Sequence, residues 1–258
     1  MEACILEVKE WMHDNKLKLN DDKTEIILIN PKKYEVNFSN LVVGDGDVQF
    51  SDSAKNLGVF IDKDLTMNCQ ITNLSKAVYL EIRRLKHMSK FVDENCLKTL
   101  AASFILSRLD YCNALYKNLN KSQIEKLQKL QNFAAKVVLS KSIYDHVTPL
   151  LIDLHCLPVS FRIDFKIAVL AFKCIHNLAP SYLSDLLEIY APSRSLRSAS
   201  LCLLKPFKTK FKTLGDKCFS FTAPKVWNDL PVSLRQETSL DVFKSKLKTH
   251  YFREAFFN

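Results

Sequence analysis

The sequence predicts an α+β fold, mainly helical, with a small sheet-bearing head, a helical bundle, and a C-terminal helical subdomain that carries a short β-hairpin. Three observations predict it. Glycine is scarce, four residues in 258 with three of them before residue 60, while Leu, Lys and Phe are abundant, which favours long helices over a turn-rich sandwich. Short β-rich runs stop before residue 69, and from there apolar residues recur at helical spacing. Hydrophobic residues at 47% and charged residues at 25% are ordinary globular values, so the chain has enough apolar material for one large domain or two modest ones.

Residues 3–16 read as a helix with Ile5, Val8 and Met12 on one face. Thr24–Ile29 is a β-rich run ended by the turn signal Asn30-Pro31, and Glu35–Phe38, Asp47–Phe50 and Asn56–Ile61 are further strand candidates, with Gly44-Asp45-Gly46 as a tight turn. This head, residues 1–68, is too small to bury a full core unaided. In residues 69–140, Ile71, Leu74, Val78, Ile82 and Leu85 form a helical stripe, and Lys76, Arg83 and Lys90 repeat every seven residues beside Arg84 and Lys86. A second helix is expected over Glu94–Tyr116. A third is expected over Ser122–Leu139, opened by a Ser122/Glu125 capping-box spacing, with Ile124, Leu127, Ala134 and Val138 inward and Lys126, Lys129 and Lys136 towards solvent. Three such helices pack as a bundle.

A boundary is expected in Ser140–Pro149, and residues 141–258 form the third part. Phe161–Ile175 is apolar almost all round, relieved mainly by Arg162, Asp164, Lys166 and Lys173, the pattern of a helix central to a core. Ala179-Pro180 opens a helix to about Tyr190, Pro192–Lys217 is looser and basic, and Phe221–Leu230 and Ser239–Phe257 close the chain as helices. Trp11 and Trp227 read as core residues.

The net charge of +9 is unevenly placed. Residues 1–68 carry 8 Lys and Arg with 13 Asp and Glu, a net −5, whereas residues 69–258 carry 29 with 15, a net +14. An acidic head on a basic body suits a body that follows a phosphate backbone; the same field attracts acidic lipid, and hydrated basic side chains are the plain alternative. The eight cysteines stand singly, Met1–Trp11 already holds Glu2, Glu7, Lys9 and Glu10, and the longest strongly apolar run is Ile167–Phe172. That run is far short of the roughly 20 residues of a membrane span. The expectation is therefore reduced thiols in a cytoplasmic or nuclear protein with no membrane partner.

Two stretches of the head, NKLKLNDDKTEIILI (Asn15–Ile29) and KNLGVFID (Lys55–Asp62), are joined in order by five from the tail. These are LHCLPVSFRIDFKIAVLAFK (Leu154–Lys173), APSYLSDLL (Ala179–Leu187), SRSLRS (Ser193–Ser198), FTAPKVWNDLPVSLR (Phe221–Arg235) and SLDVFKSKLKTHYF (Ser239–Phe252). Together they resemble the palm end, thumb and C-terminal region of a non-LTR retrotransposon reverse transcriptase of the jockey and CR1 type. Cys156 departs from the pattern, because related sequences often place Trp there, which touches packing more than chemistry. The resemblance implies that residues 1–30 complete the palm, that Lys23 borders the nucleotide site, that Leu57-Gly58-Val59 is the primer-grip turn, and that residues 69–139 form a thumb laid along the primer–template duplex. It also implies that the catalytic aspartates lie upstream of this chain, so that an RNA-directed DNA polymerase is the parent and this segment alone is inactive. RNA or an RNA/DNA duplex is the expected partner, with the upstream polymerase segments as a further one.

The chemistry of the residues agrees with an inactive segment. Nucleotidyl transfer needs carboxylates holding two metal ions, and no Tyr/Phe-x-Asp-Asp tetrapeptide occurs. Asp21-Asp22 precedes Lys23 without an aromatic strand entry and reads as a turn. Magnesium is expected only for the complete polymerase, and no cofactor is expected here. His155-Cys156 and Cys174-x-His176 offer four zinc-type side chains, but residues two apart on a helix diverge by roughly 200°, so buried thiols and ordinary histidines are the reading. The strongest binding feature is Arg194–Lys217, with Arg194, Arg197, Lys205, Lys208, Lys210, Lys212 and Lys217 against Asp216 alone. In KPFKTKFK (Lys205–Lys212), strand alternation puts Lys208, Lys210 and Lys212 on one face and Phe207 and Phe211 on the other. That strand, the cations Lys76, Arg83, Arg84 and Lys90, and Gly58 each admit two readings: phosphate or primer contact, or a solvated face and an ordinary bulge. A degenerate element copy and a protein-interaction module stand as alternatives to nucleic-acid binding.

Overall fold

The computed structural model describes residues 2–20, 24–30, 41–43, 46–48, 50–191, 201–209 and 212–257, and it is α+β and mainly helical. The chain divides into two compact units, Met1–Gln70 and Ile71–Asn258. The expected separation of 69–140 from 141–258 does not divide compact units, because helices from both sides of it share one core.

In the first unit, α1 (Glu2–Asp14) lies against β1 (Leu41–Val43), which pairs antiparallel with β2 (Gly46–Val48). A second hairpin joins β3 (Ser53–Asn56) to β4 (Val59–Asp62). The predicted strand Asn56–Ile61 is thus the turn and return of this hairpin, and Thr24–Ile29 contributes a single parallel bridge, Ile26 to Phe50, with Ser51 N–H donating to Ile26 C=O at 2.7 Å. Asp62 ends the hairpin and reverses the chain: its carboxylate accepts from the backbone N–H groups of Thr66 (2.8 Å) and Met67 (2.7 Å). Glu35–Phe38 and the Gly44-Asp45 part of the expected turn lie outside the described residues. Trp11 is 62% exposed, which corrects the reading of Trp11 as core; on the face of Ile5, Val8 and Met12, Ile5 and Met12 are half-buried and Val8 is exposed. A helix this short in so small a unit has little apolar surface to cover it.

The β3–β4 loop is only Leu57 and Gly58, with φ of 45° and 86°. Two positive φ values in a two-residue loop are the requirement of a type I′ turn, whose twist matches that of paired strands. Gly58 suits its position, whereas Leu57 carries a Cβ into left-handed backbone, a conformation that costs a non-glycine residue about 1–3 kcal/mol. Its side chain is 84% exposed. Leu57→Asn, giving the preferred Asn-Gly loop, is expected to stabilise the hairpin by about 1 kcal/mol. Roughly fivefold slower amide exchange in β3 and β4 would register that gain.

The second unit is built round α7 (Val159–Ile175). Ile163, Ile167, Ala168, Val169, Ala171, Phe172 and Cys174 are all buried there, as the nearly unbroken apolar pattern predicts. α10 (Phe219–Asn228) and α12 (Leu240–Phe256) pack on α7, and Phe172, Trp227 and Phe243 bring their rings together, Phe172 and Phe243 stacked at 4.5 Å between centroids. α5 (Lys121–Val138) also packs on α7 and supplies its missing cap: Pro158 offers no side-chain acceptor, so Gln128 Oε1 accepts from Val159 N–H at 2.8 Å, and Gln131 Nε2 donates to Leu157 C=O at 2.8 Å. α5 itself opens on a capping box of Asn120 and Gln123, two residues before the expected Ser122/Glu125 pair. Lys136 is half-buried and donates to Ile143 C=O, so it does not share the solvent face of Lys126 and Lys129.

α2 (Asn68–Met88) buries Ile71, Leu74, Val78, Ile82 and Leu85 as expected. The predicted single helix over Glu94–Tyr116 is interrupted. α3 (Glu94–Ala101) runs through a π-helical section (Ala102–Leu106) into α4 (Ser107–Asp110), Cys112 takes φ 52°, and a 3₁₀ turn follows (Asn113–Tyr116). Two ion pairs tie this segment to α7: Arg162 holds Asp110 through both Nε (2.9 Å) and Nη2, and Lys117 holds Asp164. A short α6 (Val147–Asp153) packs on α5.

Beyond α7 the expected helix to Tyr190 shrinks to α8 (Ser181–Ser184), and the hairpin shrinks to one antiparallel bridge, Ile189 to Leu204, flanked by Tyr190 N–H to Leu203 C=O and Lys205 N–H to Glu188 C=O at 2.8 Å each. Side chains hold Cys202–Leu204 in place. Trp227 Nε1 donates to Cys202 C=O at 2.7 Å, and the Asn228 amide pairs with the Leu204 backbone in both directions (2.8 and 2.9 Å). α9 (Lys212–Gly215) precedes α10. α11 (Val232–Arg235) ends on Arg235, whose guanidinium donates to Leu230 and Leu201 carbonyls (3.0 and 2.6 Å).

Candidate nucleic-acid interface

The outward face of α2 carries the candidate interface. At about 100° per residue, a spacing of seven residues returns to nearly the same direction, so Lys76 and Arg83 fall in one row opposite the buried stripe, with Lys86 beside them. All three are exposed, and Lys90 is exposed in the turn just after the helix. No ion pair engages any of the four among the described residues. Tyr79, half-exposed on this face, sits with its ring 6.2 Å from that of Phe133 on α5, which fixes an aromatic surface between the cations. Basic side chains with an interleaved aromatic are what a phosphate backbone and exposed bases engage.

Arg84 belongs to a different arrangement. Its Nη1 donates to Glu81 Oε1 at 3.1 Å, and Arg108 Nη2 donates to the same oxygen at 3.1 Å, so this carboxylate neutralises part of the neighbouring charge. Arg108 was not among the residues the sequence singled out, since nothing local marks a partner 27 residues away. Lys86 was visible in the helical periodicity.

The basic tail is not one strand face. Among the described residues, 205–209 are irregular and Lys212 opens α9, so strand alternation cannot align Lys208 with Lys212. Lys205 is engaged by Glu188 at 2.6 Å, and Lys208 and Phe207 are exposed. Lys23, Arg194, Arg197, Lys210 and Phe211 lie outside the described residues, as do Asp21 and Asp22. Gly58 is the second residue of the β3–β4 turn, not a bulge, and it belongs to the first unit.

Among the described residues no group of three His, Cys, Asp or Glu side chains could hold a metal ion. His176 stacks on Phe172 at 4.1 Å, and His155 meets Phe252 edge-on at 5.9 Å. No disulfide joins the cysteines. Burial pushes the Cys156 thiol up, opposed by the positive charge of Arg162 and Lys248; burial also raises Cys174, opposed by the nearby Ser184 hydroxyl. Because the thiolate is the reacting species, alkylation at pH 8 is expected to modify exposed Cys4, Cys96, Cys112 and Cys202 first and Cys156 and Cys174 last. Time-resolved peptide mass spectrometry gives that order.

Among the described residues no helix is long and apolar enough to cross a membrane. No protein-family model matches the chain, no curated protein is found similar to it, and no solved structure matches it.

Proposed function

We propose that this chain binds RNA or an RNA/DNA duplex as the thumb-bearing C-terminal part of a non-LTR retrotransposon reverse transcriptase, and that it holds nucleic acid without copying it. The observation that carries this reading is the row Lys76, Arg83 and Lys86 on α2 with Lys90 in the turn after it, all exposed and in no ion pair among the described residues, on a helix whose opposite face is buried. A cationic row on a rigid helix tracks phosphates without reading sequence. The net charge of +14 after residue 68 extends the same field, and the ordered motifs from Asn15 to Phe252 support the family reading. Polymerisation is not assigned to this chain: the sequence has no Tyr/Phe-x-Asp-Asp turn.

Fluorescence anisotropy of the purified chain with an RNA/DNA duplex, across a salt series, tests the proposal. The expected result is a plot of log K against log salt with a slope near −0.9 per phosphate contacted, amounting to about four contacts for the α2 row. No binding at low salt would overturn it and leave a protein partner as the better reading. Metal-dependent primer extension by the chain alone would overturn the non-catalytic part.

A further inference from the structure

A second cationic feature lies away from the α2 row, and it is concave. A pocket of about 180 Å³ opens where the 3₁₀ turn, α7, α12 and the loop before α7 meet, lined by Asp110, Asn113, His155, Arg162, Lys166 and Lys248, with Leu157 and Phe165 as its apolar wall. Its charge is one-sided. Asp110 is held by Arg162 through two hydrogen bonds, which neutralises that carboxylate and fixes the guanidinium plane. Lys166 and Lys248 remain as exposed cations with no ion pair among the described residues, and His155 is exposed beside them. The field reaches past the pocket, since Arg162 and Lys248 are the two charges that favour the thiolate of neighbouring Cys156.

Asn113 supplies an independent observation. It is 2% exposed, its Nδ2 is directed to Asp110 Oδ1 (3.3 Å) and Arg162 C=O (3.5 Å), and its Oδ1 is buried without a hydrogen-bond partner. A buried acceptor left unmatched is costly, and such groups concentrate where a ligand or ion completes the site.

We infer that this pocket receives the terminal phosphate of a nucleic-acid strand. Two unpaired lysines match a phosphate monoester, which carries up to two negative charges, better than an internal diester, which carries one. A concave site also admits a chain end, whereas an internal diester brings a nucleotide on both sides. The identity of the ligand rests on the nucleic-acid reading above; the preference for a phosphate monoester does not.

The test compares internally labelled short RNAs that differ only at their ends: hydroxyl at both, phosphate at the 5′ end, or phosphate at the 3′ end. One phosphorylated form is expected to bind about tenfold more tightly than the hydroxyl form, and Lys166→Gln/Lys248→Gln is expected to erase that ratio. Lys76→Gln/Arg83→Gln is expected to weaken every RNA and leave the ratio intact. Equal binding of all three RNAs would overturn the pocket while the α2 reading stands. If no RNA binds, titration with adenosine 5′-monophosphate followed by NMR still decides: shifts at the Arg162 Nε–H and the His155 ring support the pocket, and unmoved signals overturn it.

Discussion

Trp227→Ala is expected to destabilise residues 71–258 by about 3–5 kcal/mol, the range for deleting a large aromatic side chain from a packed core. The side chain is fully buried, and its ring packs against the stacked Phe172 and Phe243 pair at centroid distances of 6.5 and 5.8 Å. Its indole N–H also donates to Cys202 C=O, so truncation leaves a carbonyl unmatched and loosens the segment that Asn228 holds through Leu204. Since a small domain has only about 5–15 kcal/mol to lose, the variant is expected to unfold at far lower urea with an unchanged m value. Trp11→Ala is the matched control. That side chain is exposed, and its loss is expected to move stability by no more than about 0.5 kcal/mol. The same variant leaves Trp227 as the sole tryptophan, so its fluorescence reports the second unit alone. A Trp227→Ala midpoint within error of the parent would show that this aromatic cluster is not the centre of the core.

The contrast between the two tryptophans shows where sequence reading succeeds. Residue type argues equally for burial of both; what separates them is the partner surface, and α7 supplies it for Trp227. α2 was legible in full because five apolar residues repeat at helical spacing and leave the cations opposite. The break at Cys112 was not legible, because Glu94–Tyr116 keeps helical periodicity and carries neither Gly nor Pro. Lys205–Lys212 failed for the converse reason. Its alternation is that of a strand, but alternation without a pairing edge makes none, and among the described residues 205–209 join no ladder while neighbouring Leu204 makes a single antiparallel bridge to Ile189. The α2 cations were therefore readable as one exposed row from periodicity, whereas the pocket was not: Asp110, Asn113, Arg162 and Lys248 come together only through the packing of α7 and α12.

The triple charge reversal Lys76→Glu/Arg83→Glu/Lys86→Glu is expected to abolish most duplex binding and to reduce the magnitude of the salt slope by about 3, one contact of roughly 0.9 for each residue. The argument is positional, because any loss of positive charge weakens attraction to a polyanion through the long-range field. Lys121, Lys126 and Lys129 on α5 provide the comparison: all three are exposed, and their reversal changes net charge equally. That variant is expected to slow association and lower affinity modestly, while its salt slope stays within about one contact of the parent. Neither triple touches a buried side chain, so each is expected to shift stability by under about 0.5 kcal/mol per substitution, which circular dichroism melts would verify before binding is compared. Equal slopes in the two variants would mean that the protein attracts nucleic acid by its overall charge and that the α2 row has no special register on it. A slope lost only in the α2 variant would place individual phosphates against this helix, because counterions are released only where a cation displaces them from the backbone.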